Sequence, residues 1–281
     1  MSFRERRVSA QDGLSLYFRD YGDPLTPGMP LLCLSGISRN SKDFHKLATR
    51  HAGRRRVICP DYRGRGQSAR DPNWRNYMPA TYLGDIGQIL TVCDVGPVVV
   101  IGTSLGGLLG MGLAAFRPMM VAGIVLNDIG PELGGGLGRI MTTIGIDQPQ
   151  PDWAAATAFV KLTMPKLGDK TDEAWLEMAQ ATFREAPDGL LRYDWDINLA
   201  RALIAGREPQ RDLWPVFRGL GQRPALVIRG GVSDILTEGG LERMVAVKPD
   251  LKTVTVPDVG HTPNLSEPIA EQAIDAFLDQ F

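Results

Sequence analysis

Gly102-Thr103-Ser104-Leu105-Gly106 lies between an apolar run, Val98-Val99-Val100-Ile101, and a glycine-rich apolar stretch, Leu108–Phe116. Four β-branched residues in a row predict a fully buried strand, and the stretch that follows predicts a helix. A serine at the centre of G-x-S-x-G in that context occupies a sharp strand-to-helix turn. The serine backbone is strained there, and the positions two before and two after it must be small for strand and helix to pass closely. This one turn predicts a sheet flanked by helices, with a serine hydroxyl presented at its edge.

The rest of the chain repeats that rhythm. Phe3–Val8 and Leu14–Tyr21 read as strands joined by an Asp12-Gly13 hairpin turn. Short apolar runs at Leu31–Leu34, Val57–Cys59, Val121–Leu126, Ala225–Ile228 and Thr253–Val256 alternate with helical stretches. Helices are expected at Ser41–His51, Ala80–Cys93 and Pro268–Phe281, the last with proline at its start. Continuous apolar strands alternating with helices predict an α/β fold with a mostly parallel sheet covered on both faces. The rhythm breaks between Asn127 and Pro224. Helical stretches are expected there at Trp153–Met164, Asp172–Glu185 and Asp196–Ala205, with no strand; Gly134-Gly135-Gly136 reads as a hinge or a solvated loop. The expected organisation is a core of residues 1–130 and 216–281 and a helical cap of residues 131–215 inserted after the sixth strand. Such an insertion would lie over the carboxyl ends of the strands, where open α/β sheets bind ligands.

Composition narrows the function classes. With 31 basic and 32 acidic residues the net charge is -1, which provides no footprint for nucleic acid or an anionic membrane. No apolar stretch approaches the roughly 20 residues that span a bilayer, and Arg4, Arg6 and Arg7 are not followed by an apolar signal segment. Cys33, Cys59 and Cys93 are isolated in apolar runs, as small core residues of a reducing compartment are. The absence of a C-x-x-C pair or His/Cys cluster argues against a metal. A cytoplasmic location and a small-molecule substrate are the expectations; oligomeric state is not legible.

Two more motifs join the serine turn. Asp61-Tyr62-Arg63-Gly64-Arg65-Gly66-Gln67-Ser68 resembles the D-x-R-G-x-G-x-S loop of the α/β-hydrolase superfamily, and Gly260-His261 with Glu267-Pro268 resembles its histidine loop. Together with the serine turn these make the chain similar to that superfamily over nearly its whole length, outside the insertion. The resemblance implies the α/β-hydrolase fold and its serine-nucleophile branch, which includes carboxylesterases, enol-lactonases and carbon–carbon bond hydrolases. Branches that form alkyl-enzyme esters carry aspartate where this chain has Ser104.

A serine hydroxyl needs a base, and the base needs a carboxylate that holds its tautomer. Of His45, His51 and His261, only His261 follows a late strand by a short loop, at the sheet edge of Ser104. The acid should fall between serine and histidine in the chain. The usual superfamily position matches Asp234, after Ala225–Ile228; the less common one matches Asp128, after Val121–Leu126. Asp234 is the expected acid and Asp128 the alternative, otherwise a turn or capping residue. Backbone N–H groups of Leu105 and Ile37 are the expected oxyanion donors. Ser35-Gly36 stands where the superfamily often has His-Gly, so Ser35 is expected to buttress that loop. Substrate contacts are expected from His45, Trp153, Trp195 and Arg192, and Phe159, Leu162, Met164 and Leu199 give the insertion apolar character. The expected activity is cofactor-free hydrolysis of a small carboxylic ester through an acyl-enzyme on Ser104. The alternatives are lactone hydrolysis, carbon–carbon bond hydrolysis with Arg192 or Arg201 holding a substrate carboxylate, and a non-catalytic ligand receptor.

Overall fold

The computed structural model describes residues 3–164, 166–168, 170–205 and 212–281. Two antiparallel strands, β1 (Arg4–Ser9) and β2 (Ser15–Tyr21), open the chain, and Gly13 takes a φ of 85° in the turn between them. The parallel series follows: β3 (Gly28–Leu34), helix α1 (His45–His51), β4 (Arg55–Asp61), α2 (Pro79–Cys93), β5 (Val98–Thr103), α3 (Leu105–Phe116) and β6 (Val121–Asn127). An insertion carries α4 (Leu137–Ile144), α5 (Trp153–Thr163), α6 (Asp172–Thr182), the short strands β7 (Phe183–Glu185) and β8 (Leu191–Tyr193), and α7 (Leu199–Ala205). The chain closes with α8 (Trp214–Arg218), β9 (Ala225–Gly230), α9 (Glu238–Val247), β10 (Lys252–Val256) and α10 (Pro268–Leu278).

Eight strands form one sheet in the order β1-β2-β4-β3-β5-β6-β9-β10, parallel from β4 to β10. The continuous apolar runs have a direct use here. Alternate side chains leave opposite faces of a strand. Val98 and Val100 enter the core shared with α2 and α3, whereas Val99 and Ile101 enter the core beneath α1 and α10. Both faces are covered, so no position in β5 up to Gly102 is left for a polar residue.

Within the insertion the expected helices at 153–164, 172–185 and 196–205 are found with shortened ends. Two elements differ from expectation. β7 and β8 pair as a two-stranded hairpin; three residues per strand are too few to display a period of two. α4 begins at Leu137 with Gly136 as its N-cap, so the glycine run leads into a helix rather than an open loop. Its apolar residues, Leu137, Ile140, Met141 and Ile144, do follow helical spacing. Residues 206–211 of the expected cap lie outside the described residues. No helix among the described residues is long and apolar enough to cross a membrane.

Candidate active site

Ser104 is at the tip of the β5–α3 turn with φ 52°, a conformation costly for a residue with a Cβ. The flanking glycines make the turn possible. A Cβ on Gly106 would lie 2.0 Å from the Leu34 carbonyl oxygen, and one on Gly102 would lie 2.5 Å from Gly106 backbone. The Ser104 N–H is tied to the Asn127 carbonyl at 3.0 Å, and Asn127 Nδ2 donates to the Pro263 carbonyl at 2.9 Å. Asn127 thus joins the serine turn to the histidine loop. Pattern reading overlooked it because it closes an apolar strand.

His261 reaches Ser104 from the loop after β10. Its Nε2 lies 2.9 Å from Ser104 Oγ and its Nδ1 lies 2.7 Å from Asp128 Oδ2. Asp128 is fully buried at the carboxyl end of β6, with φ 55°. Its Oδ1 accepts the Gly230 N–H at 2.8 Å, and its Oδ2 accepts the Ser233 hydroxyl at 2.5 Å. Three donors therefore hold this carboxylate in one orientation and offset the cost of burying it.

The expected acid, Asp234, is placed elsewhere. Its carboxylate turns to Arg139 of α4, with Nη2 at 2.9 and 3.2 Å from the two oxygens. Burial would raise its pKa, but the bond from Arg139 outweighs that and holds it below the usual carboxylate range. The loop after β9 still serves the site, through the N–H of Gly230 and the hydroxyl of Ser233 rather than through its aspartate. A glycine cradles Asp234: a Cβ on Gly136 would lie 2.4 Å from its carboxyl carbon.

Gly36 and Ile37 follow β3 and flank Ser104; a Cβ on Gly36 would lie 3.9 Å from that of Ser104. The N–H groups of Ile37 and Leu105 have no acceptor among the described residues, and Leu105 is the first residue of α3. Ser35 Oγ donates to the Arg39 carbonyl at 3.1 Å, and Arg65 Nε donates to the Ile37 carbonyl at 2.8 Å. Arg65 also donates to Tyr82 Oη at 2.7 Å and is 1% exposed, so the loop rests on a fixed guanidinium. Arg63, the arginine of the motif, instead knots Asp12, Asp71 and Asp85 away from the serine.

These residues open into a cavity of about 360 Å³. Gly36, Ile37, Ser104 and His261 form its floor, and the insertion supplies walls from Ile140, Phe159, Met164, Met178, Tyr193 and Trp195. Tyr193 and Trp195 stack with ring centroids 3.9 Å apart.

Residues 31–276 match the sequence pattern described as the alpha/beta hydrolase family. The chain belongs to this family. It is 33% identical over 263 residues to the 3-hydroxybutyrate-oligomer hydrolase of Cupriavidus necator, covering 89% of this chain and 88% of that one. It is 27% identical to the 2-(acetamidomethylene)succinate hydrolase of Mesorhizobium japonicum, covering 99% and 96% of the two chains. Among solved structures, an alpha/beta hydrolase from Novosphingobium aromaticivorans superposes with a TM-score of 0.93 at 39% identity over the full length of both chains.

Of the expected substrate contacts of this hydrolase, Trp195 alone lines the cavity. His45 is on the outer side of α1, its Nδ1 3.1 Å from the Tyr21 hydroxyl, because Phe44 takes the inward position beside it. Trp153 is half-buried at the start of α5, packed against the apolar core. Arg192 is held at the surface by Asp147 and Asp188, and Arg201 stacks on Trp74 at 5.1 Å. Leu162 is 80% exposed and Leu199 is buried in the core, so neither meets a ligand in the cavity. Arg39, Arg139, Met178 and Tyr193 were not foreseen as cavity residues. Arg39 lies just after the Ser35-Gly36-Ile37 loop, whereas Arg139, Met178 and Tyr193 have no motif beside them in the chain and are brought to the cavity by packing of the insertion.

Proposed function

We propose that this hydrolase cleaves carboxylic esters through an acyl-enzyme on Ser104. The observation that carries the reading is the continuous chain Ser104 Oγ, His261, Asp128, at 2.9 and 2.7 Å. His261 takes the serine proton as Ser104 attacks the ester carbonyl. Asp128 keeps Nδ1 protonated, so Nε2 is free to accept, and it stabilises the imidazolium that forms. The tetrahedral oxyanion is received by the N–H groups of Ile37 and Leu105, the latter aided by the N-terminal dipole of α3. His261 then gives its proton to the leaving alcohol, and water repeats the sequence to release the acid. Residues 131–215 act as the cap that closes the cavity over the serine.

An aliphatic ester fits the apolar walls. The name of the Cupriavidus necator relative supports the same bond type, since a 3-hydroxybutyrate oligomer is a chain of aliphatic esters. A screen over p-nitrophenyl esters of graded chain length, 3-hydroxybutyrate oligomers, lactones and ring-fission diketones tests the reading, together with labelling by a fluorophosphonate. Ester turnover with labelling lost in Ser104→Ala is expected. Turnover of diketones alone, or labelling that survives Ser104→Ala, would sink it.

A further inference from the structure

Three guanidinium or carboxylate side chains are among the lining residues of the cavity: Arg39, Asp43 and Arg139. Two of them neutralise each other. Arg39 grips Asp43 through Nε and Nη2 at 2.8 and 2.6 Å, and its Nη1 donates to Thr182 at 2.7 Å. Arg139 differs. Only its Nη2 is engaged, by Asp234, so Nε and Nη1 donate to nothing among the described residues. Its side chain is 58% exposed, which puts it at the rim. Asp234 is not a lining residue; it holds the guanidinium from the side, seated against the Gly136 cradle. Ile140 beside Arg139, and Thr143 and Ile144 one turn of α4 further on, continue the same wall. The deep wall, at Tyr193 and Trp195, is buried and presents aromatic faces, with the Tyr193 hydroxyl as its one polar atom without a partner among the described residues.

We infer that Arg139 is a carboxylate anchor, and that the substrates are esters with an apolar segment at one end and a free carboxylate at the other. The inference rests on the ester-hydrolase reading and adds a substrate class to it. A guanidinium with unused N–H donors beside an apolar cavity suits a carboxylate, as a charge-assisted hydrogen bond. Asp234 orients the anchor while leaving those donors free. It also limits the strength of the anchor, since its own charge opposes a second carboxylate at close range.

Binding separates this inference from the chemistry. Ser104→Ala protein is titrated calorimetrically with 3-(butanoyloxy)butanoate and with the monoethyl ester of heptanedioic acid. The carboxylate is on the alcohol side in the first and on the acyl side in the second. Each is compared with its N-methylamide, which has the same shape and no charge. At least one acid should bind about ten-fold more tightly than its amide, the size of a charge-assisted contact at a partly exposed site. Adding Arg139→Gln should abolish the difference, and Arg139→Lys should keep part of it. Equal binding of acids and amides, or a preference that survives Arg139→Gln, overturns the inference. Failure of the ester-hydrolase reading shows elsewhere, as no butanoate released from p-nitrophenyl butanoate by the unaltered chain.

Discussion

At the scale of single residues, the acid beside His261 was decided by hydrogen bonds rather than by position in the chain. The ends of β6 and β9 are neighbours, so an aspartate after either strand can approach the same imidazole. Asp128 takes the place because the Gly230 N–H and the Ser233 hydroxyl complete its shell, whereas Asp234 has Arg139. Asp128→Asn should therefore lower turnover by about four orders of magnitude, as loss of a triad aspartate does elsewhere. Asp234→Asn should lower it far less. Steady-state kinetics of the two variants on one ester decides, and the reverse order would return the acid role to Asp234. Ser233→Ala is expected to cost about ten-fold in kcat, since it removes one donor from a buried carboxylate without removing the others.

Elements set the site through close approaches. Helix α3 passes over β3 so tightly that Gly106 has no room for a methyl group. Gly106→Ala should shift the nucleophile turn and destabilise the chain by about 1–3 kcal/mol, the usual cost of overpacking. Thermal unfolding checks the stability, and loss of fluorophosphonate labelling checks the turn. The insertion is fastened around the cavity by polar bonds rather than by a shared strand. The Gly66 N–H donates to the Asp194 carbonyl, the Asp196 N–H donates to the Gly64 carbonyl, and the Gly260 N–H, beside His261, donates to the Lys166 carbonyl. Asp194 also accepts from Asn40 at 3.2 Å and Lys42 at 2.8 Å. Asp194→Ala removes the carboxylate these donors share and leaves them only the Ala181 and Gln180 carbonyls, so the fastening loosens and KM should rise more than kcat falls. Equal kinetics in the variant would show that the fastening does not shape the cavity.

Across the whole molecule, two buried groups give stability opposite slopes with pH. Burial pushes the Asp61 carboxyl up to about 6, despite the N–H groups of Ser41 and Gln67 that favour its charge. The folded chain then holds a proton that the unfolded chain has released, so Asp61 lowers stability as pH rises from about 4 to about 6. Burial and the neighbouring Arg50 push His51 down to about 4. Here the unfolded chain binds the proton first, so stability is lost as pH falls from about 6.5 to about 4. The two slopes oppose each other over most of that range. His51→Gln should therefore raise Tm on acidification relative to the unaltered chain, as scanning calorimetry from pH 7 to pH 4 would show. Parallel profiles would mean that His51 charges as readily folded as unfolded.

Much of this architecture could be read before any coordinates, because its signals are local. Four β-branched residues can only be buried, a G-x-S-x-G between strand and helix admits one kind of turn, and His261 alone of three histidines follows a late strand. Those features depend on neighbours a few residues away. The choice of Asp128 over Asp234, the place of Arg139 at the cavity rim and of Tyr193 in its wall, and the outward fate of Arg192 and His45 depend on contacts between segments as many as 133 residues apart. A hydrogen bond of that kind leaves no period in the chain. It exists only once the strand ends lie side by side and the insertion has packed across them.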